Sequence, residues 1–298
     1  MIPDEPPGKE LLPLVFARLA TVSEPWQPAE VPPLPAPRVA AGGKWGPVPE
    51  RGLERLLGGP EFYSPTWYRK GLECARQVAR VETLQGNTVA TGFLVWGSEL
   101  HPSLPDEPVL LTTSYVVTDD PVVKDRYAFS VLGPDEVQAR FQDETQVYSL
   151  TVVWTSFLAG TTILRLTPRL ESDRRLTVAQ RFPVVDAAGQ EPTRAFIVGH
   201  PGGRDLSFSM QDNFILDCDD RVVHYRTPTE AGSSGSPVFN RLWQLIAIHY
   251  AGGNEMHQLH GHAGTYAANE GIRIDFIRST IAAEAEGTVH PSAAPATS

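Results

Sequence analysis

Between Val78 and Tyr250 the chain repeats one pattern. A short run of β-branched and aromatic residues is followed by glycine, proline, aspartate, asparagine or serine, and then another run begins. The runs are Val78 to Gln85, Thr88 to Trp96, Val109 to Val117, Tyr148 to Trp154, Thr162 to Leu166, Ala195 to Val198, Asn213 to Asp217, Val222 to Arg226 and Leu245 to Tyr250. Short strands at this density specify an all-β barrel or sandwich. The 25 glycines and 27 prolines agree, because both residues punctuate regular elements. Gly86-Asn87 reads as a tight turn joining the first two runs into a hairpin. Two helices flank the strands. Ser64-Pro65 supplies a cap and a first helical proline for Pro65 to about Gln77, with Trp67, Leu72 and Ala75 on one face. A second helix runs from Asp275 to about Glu286, with Phe276, Ile277 and Ile281 as its apolar side.

Proline divides the chain. Pro32-Pro33, Pro35, Pro37, Pro47 and Pro49 crowd the first sixty residues, and proline sustains neither helix nor central strand. The expected organisation is a largely irregular proline-rich extension over 1–60, a folded domain over 61–287 and a disordered tail over 288–298. Within the extension, Pro49 to Leu57 is expected to form one short helix closed by Gly58-Gly59. A net charge of −10 argues against nucleic acid and anionic lipid as partners, since both need a basic surface. No run approaches the ~20 apolar residues of a membrane span. Asp4, Glu5 and Pro13 stand where a signal peptide would need basic and apolar residues, so a cytoplasmic location is expected. Cys74 and Cys218 are too few for a disulfide framework; one bridge is possible, and two buried thiols are the expectation.

The strongest local signal is Gly232-Ser233-Ser234-Gly235-Ser236-Pro237, followed at once by the apolar run Leu245 to Tyr250. Glycines on both sides of a serine allow a tight turn that exposes the hydroxyl and lets neighbouring amides converge on one point, which is what an oxyanion hole needs.

On these residues the chain resembles the chymotrypsin-fold serine proteases, in particular the bacterial trypsin-like and glutamyl endopeptidase branch. Thr91 to Val95 matches the family's opening strand, Leu110 to Val117 the segment that carries the catalytic histidine, Thr162 to Leu166 the strand after the catalytic aspartate, and Val198 to Gly203 a turn of the second barrel. The resemblance implies a double six-stranded β-barrel with an N-terminal and a C-terminal helix. It places Ser234 at the nucleophile and the amides of Gly232 and Ser234 at the oxyanion hole. It implies a specificity pocket at Thr229 and His249 shaped for an acidic side chain; for His249 a hydrogen-bonded barrel histidine is an equal reading.

Two positions depart from the family. Tyr115 stands where the histidine is expected, and Gly160 where the aspartate is expected. A serine hydroxyl needs a base to take its proton, tyrosine as a residue type titrates near ~10, and glycine has nothing with which to orient an imidazole. Loss of the base leaves only the ~10³–10⁴-fold over water that binding and an oxyanion hole supply. The expected function is therefore that of a pseudoprotease: a protein-binding or regulatory module which, by the resemblance, belongs to bacterial signalling or defence. The alternatives are an active endopeptidase with a rearranged triad and a preference for acidic residues, and a chain that is itself the substrate of a partner protease. If Tyr115 and Gly160 both face Ser234, the pair Tyr115→His and Gly160→Asp should restore reaction with serine probes.

The remaining polar residues carry weaker signals. His101 and His200 lie in turns, and Asp119 and Asp120 follow the Tyr115 segment. His257, His260 and His262 are expected in a flexible loop, without the acidic or cysteine partners a zinc site needs. Asp217, Asp219 and Asp220 lack a calcium-loop pattern and read as a polar hairpin turn. No cofactor and no metal are expected, and the expected partner is another protein.

Overall fold

The computed structural model describes residues 63–126, 131–142, 144–170, 175–182 and 193–287. The proline-rich extension, the short helix expected from Pro49 to Leu57 and the tail over 288–298 lie outside them. The chain divides into two units, and all that follows concerns the second, Ser64–Ser298.

Helix α1 (Pro65–Ala75) opens the domain, with Ser64 Oγ accepting from Trp67 N at 3.2 Å. It ends two residues earlier than its periodicity suggests. The Gln77 carbonyl accepts from Leu94 N at 2.8 Å, which draws the chain into the first sheet. Its buried side is Gly71, Cys74 and Ala75. Leu72, expected on that side, is 59% exposed, because at 100° per residue it falls away from the stripe shared by Gly71 and Cys74. Trp67 packs its ring on Trp243 with centroids 4.7 Å apart, and a side chain at Gly71 would collide with that indole.

Strands β1 (Val78–Thr83) and β2 (Thr88–Trp96) form the expected hairpin, turning through Gly86 at φ +88°. Helix α2 (Gly97–Leu100), strand β3 (Pro108–Thr113), helix α3 (Pro121–Arg126) and strands β4 (Val137–Phe141), β5 (Val147–Ser156) and β6 (Thr161–Thr167) follow. The six strands close into a barrel in the order β1-β2-β3-β6-β5-β4. Its interior holds Val81, Leu94, Leu110, Val137, Phe141 and Leu164, the inward members of the alternating runs.

The second half contains β7 (Phe196–Gly199), β8 (Ser207–Ser209), β9 (Ile215–Cys218), β10 (Val222–Tyr225), β11 (Pro237–Phe239), β12 (Leu245–His257) and β13 (Thr265–Arg273). The fold is chymotrypsin-like, but this half differs in detail from the six-stranded barrel expected. Among the described residues it is a seven-stranded sheet in the order β8-β7-β11-β12-β13-β10-β9. Strand β12 does not stop at Tyr250. It continues through two irregular steps to His257 by pairing with β13, so His257 lies on a strand rather than in a loop. Helix α4 (Ile274–Ala285) buries Ile274, Ile277, Thr280 and Ile281. Its Glu284 reaches back to the first barrel, accepting from Trp154 Nε1 at 2.6 Å and Ser156 Oγ at 3.0 Å. Among the described residues no helix is long and apolar enough to cross a membrane.

Candidate active site

The serine loop is held by backbone bonds from both halves of the domain. From β12, Gly235 N donates to the His249 carbonyl and His249 N to the Ser236 carbonyl, each at 2.8 Å. From the first barrel, Thr91 on β2 donates its N–H to the Ser234 carbonyl at 2.9 Å and its hydroxyl to the Gly232 carbonyl at 2.8 Å. The same hydroxyl accepts from His200 N at 3.0 Å. Thr91 is thus a positioning residue. Its one sequence signal was a hydroxyl within the apolar run over 89–96 of β2. Gly232 sits at φ +91° with the His200 carbonyl 2.6 Å from where a Cβ would stand, so the turn requires glycine.

Two amides of this loop are spare. The Ala231 carbonyl accepts from Gly202 N at 2.6 Å, and the Ser233 carbonyl accepts from Ser236 N at 3.0 Å. In a trans peptide the N–H points opposite to the carbonyl. Gly232 N–H and Ser234 N–H therefore point away from those partners, and neither meets an acceptor among the described residues.

Tyr115 lies on the turn after β3, where Val116 N and Val117 N both donate to the Thr113 carbonyl. Its phenol oxygen is 2.7 Å from Ser234 Oγ and 2.5 Å from the Tyr250 carbonyl. A phenol has one proton, and Tyr115 shares it between two acceptors, Ser234 Oγ and the Tyr250 carbonyl. The group that faces the serine oxygen is thus a proton donor.

Gly160 is next to this turn through the backbone, since Ser114 N donates to its carbonyl at 3.0 Å. A side chain there would not face Ser234. At φ +57° its Cβ would stand 2.7 Å from Tyr250 Cε2 and 2.6 Å from Ile272 Cδ1. The Tyr250 ring also packs edge-on against Tyr115, with centroids 5.1 Å apart. Tyr250, which sequence reasoning did not single out, therefore touches both positions.

The residues expected to form a specificity pocket are engaged within the fold. His249 is 4% exposed, and Tyr225 Oη lies 2.8 Å from its Nδ1. Burial pushes its pKa down to about 4, partly offset by a hydrogen bond to the Glu270 carbonyl. Burial, followed by the charges of Glu270 and Tyr115, pushes the Tyr225 phenol well above its ordinary value. Thr229 Oγ1 donates to Asn269 Oδ1 at 2.9 Å, and Asn269 Nδ2 donates to the Thr227 carbonyl at 2.7 Å.

The other polar residues are drawn elsewhere. His101 Nδ1 pairs with Ser103 Oγ at 2.8 Å, and His200 Nδ1 with the Arg204 carbonyl at 3.0 Å. Asp120 accepts from Val122 N at the start of α3. Asp219 accepts from Arg221 N and Val222 N in the β9–β10 turn. His260 Nε2 lies 3.2 Å from Asp217 Oδ1. Among the described residues no group of three or more histidine, cysteine, aspartate or glutamate side chains is placed to hold a metal ion. Cys74 and Cys218 are free thiols, and burial raises the Cys74 pKa to about 11.

A family model for the trypsin-like peptidase domain matches residues 90–248. This chain belongs to that family. The matched stretch of the trypsin-like domain begins on β2, just before Thr91, and ends beside His249, so it contains Tyr115, Gly160 and Ser234. No curated protein matches the sequence significantly. Among solved structures, the chain is similar to a serine endoprotease from Yersinia pestis at 14% identity and TM-score 0.48, covering 76% of this chain and 67% of that one. It is also similar to the inactive form of the Rv3671c protease, at 15% identity and TM-score 0.46, covering 74% and 95%.

Proposed function

We propose that this trypsin-like domain is a pseudoprotease that binds another protein at the Ser234 cleft without hydrolysing it, and so serves as a regulatory module. The observation that carries this reading is the hydrogen bond between Ser234 and Tyr115. The phenol faces Ser234 Oγ as a donor, sharing its proton with the Tyr250 carbonyl, so it does not stand there as a base. Tyrosine in that position is a poor proton acceptor near neutral pH, and an unassisted serine is a weak nucleophile. The contact of Tyr250 with the Gly160 position adds to it, since an orienting carboxylate there would meet an aromatic ring. In the pocket for an acidic side chain, on which the rival endopeptidase reading depends, Thr229 Oγ1 is given to Asn269 and His249 Nδ1 is paired with Tyr225. A cytoplasmic site of action fits two unpaired thiols and belongs to the same proposal.

The test is a fluorophosphonate serine probe applied to the full chain, alongside casein and acidic peptide substrates. Neither labelling nor turnover above that of Ser234→Ala is expected. Labelling or hydrolysis that disappears in Ser234→Ala would overturn the reading.

A further inference from the structure

We infer that Tyr266, His224 and Glu270 form a hydroxyl–imidazole–carboxylate relay on the second sheet, and that Tyr266 takes up acyl groups from activated esters. The relay stands apart from Ser234 and does not rest on the reading of that cleft.

The register of three strands brings these side chains together. On β10, Val223 and Tyr225 enter the core of the second half, so His224 between them points to the opposite face. Its register partner on β13 is Glu270, and its partner on β9 is Asp217. The extra residues at the two irregular steps of the β12–β13 ladder both fall on β12. Strand β13 is therefore regular, and Tyr266, four residues before Glu270, shares its face. His224 Nε2 lies 3.0 Å from Glu270 Oε2, and Nδ1 lies 2.6 Å from Tyr266 Oη. A carboxylate only accepts, so Nε2 carries a proton, and in the neutral ring Nδ1 is left to accept from the phenol. His224 is 1% exposed, whereas Tyr266 and Glu270 are half-buried. The neighbouring carboxylate, Asp217, is turned to His260, whose Nε2 lies 3.2 Å from its Oδ1.

A hydroxyl bonded to an imidazole whose other nitrogen is held by a carboxylate is the arrangement that makes a hydroxyl nucleophilic. Here all three members stand on paired strands, which hold their spacing. As Tyr266 Oη attacks an ester carbonyl, a C–O bond forms and the phenol proton passes to His224 Nδ1. The leaving aryloxide or thiolate departs with the electron pair of the broken bond. Glu270 offsets the charge of the imidazolium, which then returns its proton to water. The relay supplies a base and a counter-charge. That suits an acyl group on a leaving group that departs unaided, an aryl ester or a thioester, and not a peptide bond. Burial, followed by the charges of Asp217 and Glu270, pushes the Tyr266 phenol up to about 12. By ionisation alone this tyrosine would react slowly, so rapid acylation is the mark of the imidazole.

The test treats the full chain with p-nitrophenyl acetate at neutral pH and locates the acetyl groups by peptide mass mapping. Tyr68, 49% exposed on α1, is the internal reference. Tyr266 is expected to acetylate at least about tenfold faster than Tyr68, although it is the more buried of the two. His224→Gln is expected to slow Tyr266 at least about tenfold and to leave Tyr68 unchanged. Glu270 is a positioning residue, since it acts through His224. Glu270→Ala is expected to slow Tyr266 at least about threefold, and the nitrogen-15 signals of the His224 ring should move away from the single Nε2–H tautomer. The inference is overturned if Tyr266 reacts no faster than Tyr68, or if folded His224→Gln acetylates at Tyr266 as the wild type does. The comparison of two tyrosines within one chain stands even if neither variant folds.

Discussion

The two walls of the Ser234 cleft are built from different materials. On the wall of the second sheet, the serine loop is tied by backbone bonds and by Thr91, with glycines where the chain must turn tightly. On the wall of the first barrel, the facing positions are covered by a ring that comes from β12 of the second sheet: Tyr115 lies edge-on to Tyr250, and Tyr250 packs against the bare Cα of Gly160. The first wall presents backbone polar groups around Ser234, and the second presents the rings of Tyr115 and Tyr250. A polar scaffold of mutually dependent bonds tolerates few changes, whereas a packed aromatic wall settles into a shape that resists a charged side chain.

The largest effect is expected on the serine wall. Gly232→Val places a β-branched side chain at φ +91°, with the His200 carbonyl 2.6 Å from its Cβ. The expected cost is roughly 3 kcal/mol or more, a fall in Tm on the order of 10 °C by scanning calorimetry. An unchanged melting curve would show that this wall is softer than its bonds suggest.

Acid titration probes the floor behind the same wall. His249 has its pKa lowered from 6.5 to about 4 by burial. Between those values the unfolded chain holds a proton that the folded chain does not. The stability from keeping this histidine neutral is therefore complete above pH 6.5 and is lost as pH falls toward 4, by on the order of 3 kcal/mol. Burial lowers the His200 pKa as well, and it acts in the same direction. Urea unfolding at pH 7 and pH 5 should show a smaller loss in His249→Gln than in the wild type. Equal losses would place the proton uptake elsewhere.

The smallest effect is expected on the aromatic wall, and it amends the restoration experiment suggested by sequence alone. Gly160→Asp drives a side chain into the Tyr250 ring and Ile272, at a cost of about 1–3 kcal/mol. Aspartate tolerates the left-handed backbone at φ +57°, so the cost is one of packing. Tyr115→His with Gly160→Asp should stay unreactive toward fluorophosphonate. Adding Tyr250→Ser, which empties the space between the two positions, should give measurable labelling. Labelling by the double variant alone would show that Tyr250 yields easily and that the two walls differ less than described.

Much of this architecture is legible in the sequence, for a physical reason. Strands buried on one face carry alternation, as in Val147–Ser156, and a glycine-serine turn beside an apolar strand marks the loop itself. Strand β13 was not legible. Thr265–Arg273 reads Thr-Tyr-Ala-Ala-Asn-Glu-Gly-Ile-Arg, with little β-propensity, and it is extended because β12 and β10 pair with it on both sides. For the same reason Asn269 was invisible, as nothing local marks an asparagine that will lie across a cleft from a residue forty positions earlier. Tyr115 was found through its place in a motif, whereas Tyr250, one residue beyond His249, acts through its ring packing and its main-chain carbonyl, neither of which a motif marks.

Glu284 closes the molecule in a way that bears on its synthesis. The two hydrogen bonds it accepts from Trp154 and Ser156 join nearly the last described turn to a strand made some 130 residues earlier. A ribosome releases the first barrel long before this clasp exists. During that interval the indole nitrogen of Trp154 and the hydroxyl of Ser156 must face water or a chaperone. A message that stops short of codon 284 would yield a barrel whose strands are all present and whose final fastening never arrives.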